Sequence, residues 1–141
     1  MTIDFAQAWA NALSTDVDEL VSLYADEFVV ELGSYADSVG HAIITPDALR
    51  RELARFSNTD LHNGDGIHVF EATNYEGHER HGIIQWTWSG QHLETFRGLP
   101  AEGHKLTTVG QTFQQYDGRG KIVRETTYWA DLHALKTLGV V

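Results

Sequence analysis

A chain of 141 residues is one domain of ordinary size, long enough to bury a core of its own. Ten basic residues stand against 20 acidic ones, and the formal net charge of -10 repels phosphate backbones and anionic lipid, arguing against nucleic-acid and membrane partners. The absence of cysteine excludes disulfides, thiolate metal sites and a cysteine nucleophile, and no apolar run nears the ~18 residues of a membrane span.

The composition, with 42% hydrophobic residues and two prolines, is that of an ordered domain, and residues 1–141 read as a single unit without linkers or repeats. The N-terminus Met1-Thr2-Ile3-Asp4 carries no basic region or signal-type core, so a cytoplasmic location is expected. Phe5, Trp9 and Leu13 recur every four residues and predict a first helix. Asp16, with Glu19 three residues on, predicts the cap of a second helix whose face is Val17, Leu20, Val21 and Tyr24. Phe28, Val29, Val30 and Leu32 read as a strand stopped by Gly33. Thr45 then fits an N-cap, with Pro46 at the first helical position and Leu49, Leu53 and Phe56 as the buried stripe.

From Ile67 the period changes to two. Strands are expected at about 66–75, 79–90, 92–97, 105–116 and 121–130, broken by Tyr75-Glu76-Gly77, Gly90, the Leu99–Gly103 loop and Asp117-Gly118-Arg119-Gly120. Leu132 to Leu138 predicts a short last helix, ended by Gly139. Helices followed by a strand meander predict an α+β fold with the helices on one face of a curved sheet.

Several motifs carry a resemblance that spans nearly the whole chain. Leu23-Tyr24-Ala25-Asp26-Glu27, Gly90-Gln91-His92, Gly98-Leu99-Pro100 with Gly103-His104-Lys105, and Gly120-Lys121-Ile122 resemble the SnoaL-like polyketide cyclases of the nuclear-transport-factor-2-like superfamily. The resemblance implies a cone: a curved mixed or antiparallel sheet wrapped by N-terminal helices around a deep pocket, a cystatin-like roll. It implies a homodimer, a hydrophobic small-molecule substrate or ligand, and acid–base chemistry without metal or cofactor. Superfamily members also include isomerases, dehydratases, epoxide hydrolases and plain binding proteins, so the fold leaves the reaction open.

Asp131, after Tyr128-Trp129-Ala130, stands near the point where SnoaL-like cyclases keep their acid–base Asp. A carboxylate among aromatics is desolvated and can both take and return a proton. The same residue precedes Leu132–Leu138 and equally fits a helix N-cap. The cyclases place a His two residues before this Asp, whereas this chain has Trp129.

His92 can polarise a carbonyl or shuttle a proton, or can be a structural strand residue. His41 and His104 fall near turns. His78 and His81 flank one, and without an HExxH motif or paired carboxylates no metal site is expected. Trp86, Trp88, Trp129, Phe113, Phe70 and Tyr116 can wall a flat apolar pocket or simply fill the core. Alternation puts Trp86 and Trp88 on one face and Gln85 and Thr87 on the other. Gln111 shares a face with Val109 and Phe113, a polar group on an apolar strip that suits a ligand site or a satisfied buried amide.

Alignment with ketosteroid isomerases puts Leu32, Ala8 and Thr112 where those enzymes keep their base and two proton donors. Gln85-Trp86-Thr87 and Thr127 likewise lack the charges of limonene-type epoxide hydrolases. Tyr35 and Asp37 follow Gly33 within reach of a pocket mouth, with Asp37 the alternative base. The expected catalyst set is therefore Asp131, His92 and Asp37, walled by Trp129, Trp86, Trp88, Phe113 and Tyr35, with Gln111 as a polar contact. The competing expectation is a binding or structural module that performs no chemistry.

Overall fold

Four-residue apolar spacing makes the first helix, α1 (Ile3–Thr15), and its inner stripe Ala6, Trp9, Ala10 and Leu13 is buried. The structure is a computed structural model that describes residues 2–31, 42–58 and 66–140. Asp16 ends α1 and starts α2 (Val17–Ser22), its Oδ1 accepting the amides of Asp18 and Glu19 at 3.1 Å each. Tyr24, expected on the α2 face, instead opens β1 (Tyr24–Glu31), because its backbone pairs with Ile122. The expected stop at Leu32 and Gly33 lies outside the described residues, as do His41, Tyr35 and Asp37.

After a two-residue β2 (Ala42–Ile43), the Thr45 hydroxyl accepts the Ala48 amide at 3.2 Å and Pro46 begins α3 (Pro46–Leu53). A tighter turn, Ala54–Phe56, continues α3 and buries Phe56. Four long strands follow: β3 (Ile67–Gly77), β4 (His81–Gln91), β7 (Leu106–Tyr116) and β8 (Ile122–Ala130). Between β4 and β7, the strand expected over 92–97 shrinks to a small hairpin of β5 (Thr95–Phe96) and β6 (Leu99–Pro100). Positive φ at His92 breaks the strand geometry there. The chain closes on α4 (Leu132–Thr137), stopped by Gly139 at φ 79°.

The six strands run in the order β2-β1-β8-β7-β4-β3. All neighbours are antiparallel except β1 and β8, which are parallel, so the curved sheet is mixed. Alternation sorts each strand between two faces. His68, Phe70, Ile84, Trp86, Trp88, Leu106, Thr108, Thr112 and Gln114 are buried under the helices. Val69, Val109, Phe113 and Tyr128 are exposed on the other side. Complete burial of Leu20, Leu49 and Ile84 contributes about 2 kcal/mol each, which fastens α2 and α3 over the inner face.

Candidate active site

Five aromatic rings meet on the inner face where β8 ends. Trp129 is the hub: its ring centroid lies 4.9 Å from Trp86, 5.5 Å from Trp88, and 5.9 Å from both Phe56 and Phe70. Most of these contacts are edge-on, the arrangement ring quadrupoles favour, while Phe56 stacks. Trp86 fits because its β7 neighbour is Gly110, where an added Cβ would lie 2.2 Å from the indole. Its Nε1–H donates to the Thr112 hydroxyl at 2.9 Å, and Thr112 bonds Thr127 at 2.8 Å. The apolar wall is thus polar-satisfied from behind.

Asp131 sits one residue beyond β8, at the N-cap position of α4, but its side chain caps nothing. It turns instead to Arg97, whose Nε donates to Oδ2 at 2.9 Å and whose Nη2 donates to Oδ1 at 3.3 Å. Both side chains are largely shielded, with 15% and 19% of their surface left exposed. The guanidinium carbon also lies 5.3 Å from the Phe96 ring centre and 5.6 Å from that of Trp129. Arg97 reaches this place because it is the first central residue of the β5–β6 turn, at φ 52°, followed by Gly98 at φ 79°. Left-handed backbone at an arginine costs on the order of 1 kcal/mol, which the forked ion pair offsets.

His68 lies on the same inner wall. Its Nδ1 accepts the Trp88 indole N–H at 3.1 Å, which places the ring proton of the neutral form on Nε2. The Asn58 side chain clamps the His68 backbone, accepting its amide at 2.8 Å and donating to its carbonyl at 2.6 Å.

The structure therefore gathers Asp131, Trp129, Trp86 and Trp88, and separates other expected residues from them. His92 is exposed in the turn after β4, not at the start of a strand. Gln111 and Phe113 face outward, Phe113 with 42% of its surface exposed, because β7 turns Thr112 and Gln114 inward. Gln111 still borders an open cavity of about 420 Å³ that Trp86 and Trp129 also line, on the side of Val109 and Tyr128, whereas Phe113 lies outside it. Tyr116, by contrast, is buried on the inner face. His78 and His81 have rings 5.0 Å apart in the exposed β3–β4 turn, and no group of three His, Asp or Glu side chains suits a metal among the described residues.

Three inner residues escaped the sequence reading: Arg97, His68 and Glu125. Alternation held the signal for two of them, since His68 shares parity with Phe70 and Glu125 shares parity with Trp129. The Arg97-Gly98 pair carried the signal of a tight turn, although its distant partner was not visible.

Comparison with known proteins adds the fold. No family model and no curated protein matches the chain. Solved structures do match along its full length. IdmH of Streptomyces antibioticus, a proposed polyketide cyclase, superimposes with a TM-score of 0.75 at 18% identity, covering 97% of each chain. A hypothetical protein of Catenulispora acidiphila with a ketosteroid isomerase-like fold, solved with trimethylamine, gives 0.72 at 16% identity, covering 100% of this chain and 96% of that one. A proposed SnoaL-like polyketide cyclase of Shewanella denitrificans gives 0.71 at 14% identity, covering 98% and 96%. The chain has the nuclear-transport-factor-2-like fold, in the α+β form that SnoaL-like cyclases and ketosteroid isomerase-like proteins share. Among the described residues no helix is long and apolar enough to cross a membrane.

Proposed function

We propose that this protein is a cofactor-independent acid–base enzyme acting on a hydrophobic, carbonyl-bearing small molecule, of the cyclase, isomerase or dehydratase type. The observation that carries the reading is the Asp131 carboxylate held by Arg97, whose guanidinium also lies over Trp129, instead of capping α4. In this reaction Asp131 takes the proton from the carbon beside the carbonyl. The resulting enolate closes a ring, is reprotonated elsewhere, or expels water, and Asp131 returns the proton. Arg97 fixes the carboxylate and sets a positive charge near the developing enolate. Trp129, Trp86 and Trp88 shape the apolar wall, and Asp37 is the alternative base.

A second reading, a binding module without chemistry, draws support from Trp129, which occupies the place of the cyclases' histidine. One experiment separates the two. Cyclic ketones and polyketide-like β-dicarbonyls are incubated with the protein in heavy water, α-proton exchange is followed by NMR, and binding by tryptophan fluorescence. The enzyme reading expects exchange that Asp131→Asn lowers by about 10²-fold or more with binding retained. Undiminished exchange removes Asp131 as the base and moves the role to Asp37. Binding without any exchange favours the module.

The outer face supports pairing with a second copy of the chain. Val69, Val109, Phe113, Tyr128 and Leu132 are exposed. The outward residues of β7 from Thr107 to Gln115 carry no charge in a chain of net charge -10. Such a face avoids the repulsion that two acidic molecules otherwise meet.

A further inference from the structure

Beneath α1, far along β8 from Asp131, lies a carboxyl group with no part in the chemistry above. Glu125 is 2% exposed. The Tyr24 hydroxyl lies 2.8 Å from each of its oxygens, and Gln114 Nε2 donates to Oε1 at 2.7 Å. Trp9 Nε1 in turn donates to the Tyr24 hydroxyl at 3.3 Å. On the other side the Tyr116 hydroxyl donates to Gln114 Oε1 at 2.9 Å and bonds the Tyr75 hydroxyl at 3.0 Å. One carboxyl thus ties α1 (Trp9), β1 (Tyr24), β7 (Gln114, Tyr116) and β3 (Tyr75) into one network.

The protonation state of Glu125 decides how well this network is satisfied. A neutral carboxyl supplies its own O–H, so the Tyr24 hydroxyl donates to one oxygen and accepts from the other. An ionised carboxyl has no proton to give, and Tyr24 must share a single hydrogen between two oxygens. Among the described residues, every side chain that hydrogen-bonds Glu125 is a neutral donor, Trp9, Tyr24 and Gln114, with Tyr116 and Tyr75 one step behind. Among the described residues no Lys, Arg or His bonds to it. Burial pushes Glu125 up to about 7, against the hydrogen bonds from Gln114, Tyr24 and Trp9 that pull the other way. Burial likewise raises Tyr24 and Tyr116 well above the usual tyrosine range, so both stay neutral wherever Glu125 titrates.

We propose that Glu125 is a proton-operated latch: protonated, it fastens α1 to the sheet through Tyr24 and Trp9, and deprotonation loosens α1 over the inner face. The helix also rests there on its buried stripe Ala6, Trp9, Ala10 and Leu13, while its other side-chain contacts are an edge-on Phe5–Tyr116 pair at 5.7 Å and a Gln7 Nε2 bond to the Ala72 carbonyl at 3.2 Å. Uncompensated charge beneath the helix therefore acts at its main polar anchor. This inference does not depend on what Asp131 does.

The test combines amide hydrogen exchange of α1 with a carbon-13 NMR titration of the glutamate carboxyls. The latch expects a buried glutamate titrating near neutrality. It also expects protection at Ala6 to Leu13, corrected for intrinsic exchange, to fall roughly tenfold between about pH 6 and about pH 8.5. Glu125→Gln should abolish that fall. Equal pH dependence in wild type and Glu125→Gln, or absence of a glutamate that titrates above about pH 5.5, overturns the latch. If Glu125→Gln does not fold, Tyr24→Phe gives the answer. It removes the bridging hydroxyl, so α1 should be as exchangeable at low pH as wild type is at high pH, and unchanged protection overturns the proposal.

Discussion

Arg97 Nε lies 2.9 Å from Asp131 Oδ2, joining the tip of the β5–β6 hairpin to the end of β8 across 34 residues of sequence. The contact fixes the hairpin over the aromatic cluster and turns the carboxylate away from the α4 amides. Arg97→Ala and Asp131→Ala are each expected to cost about 1–3 kcal/mol in urea unfolding, because either leaves a shielded charge without its partner. The double variant should cost clearly less than the sum. Strict additivity would mean the pair contributes nothing to the fold.

Gly110 is the space into which Trp86 fits. Gly110→Ala should destabilise by about 1–3 kcal/mol, since backbone and indole cannot both stay in place. The displaced ring should also change near-ultraviolet dichroism and weaken any ligand held by the aromatic wall. Gly98→Ala, with nothing near its added Cβ but a φ of 79°, should cost only the backbone strain.

Acid–base linkage gives Glu125 a signature in stability. Its folded value of about 7 lies above the ordinary 4.5, so the folded protein holds the proton more tightly than the unfolded chain. The contribution is fully present below about pH 4.5 and is lost as pH rises through about 7, a difference on the order of 3 kcal/mol. Glu125→Gln should therefore gain on wild type as pH increases across that window, as thermal unfolding at a series of pH values would reveal. Parallel curves for the two proteins would place Glu125 in an environment no different from water.

The exposed outer face makes a separate prediction. If two copies pair there, Val109→Arg, at a position 54% exposed, should leave the fold intact and shift the protein to monomer in light scattering. A wild-type protein already monomeric at high concentration would remove the second copy from the outer face.

Much of this architecture could be read from local patterns. Asp16 and Thr45 announce their helices because capping needs only neighbours within three residues. The four long strands declare themselves by alternation, with boundaries within about two residues of those expected. The small hairpin was overextended because the positive φ of His92 leaves no trace in composition.

The amino-acid sequence by itself determined the order of helices and strands, the pairing of Trp86 with Trp88 on one face, and the α+β class. These follow from periods of 3.6 and 2 that each segment carries alone. Only the tertiary structure decided which face is inner, since alternation divides residues into two sets without saying which set the helices cover. That decision turned Gln111 and Phe113 outward and buried Glu125. The tertiary structure also decided that Tyr24 bonds a carboxyl 101 residues away and that Asp131 bonds Arg97 instead of capping α4. Such contacts arise from the sheet's register and its parallel β1–β8 pair, which bring distant side chains together for reasons no local window contains.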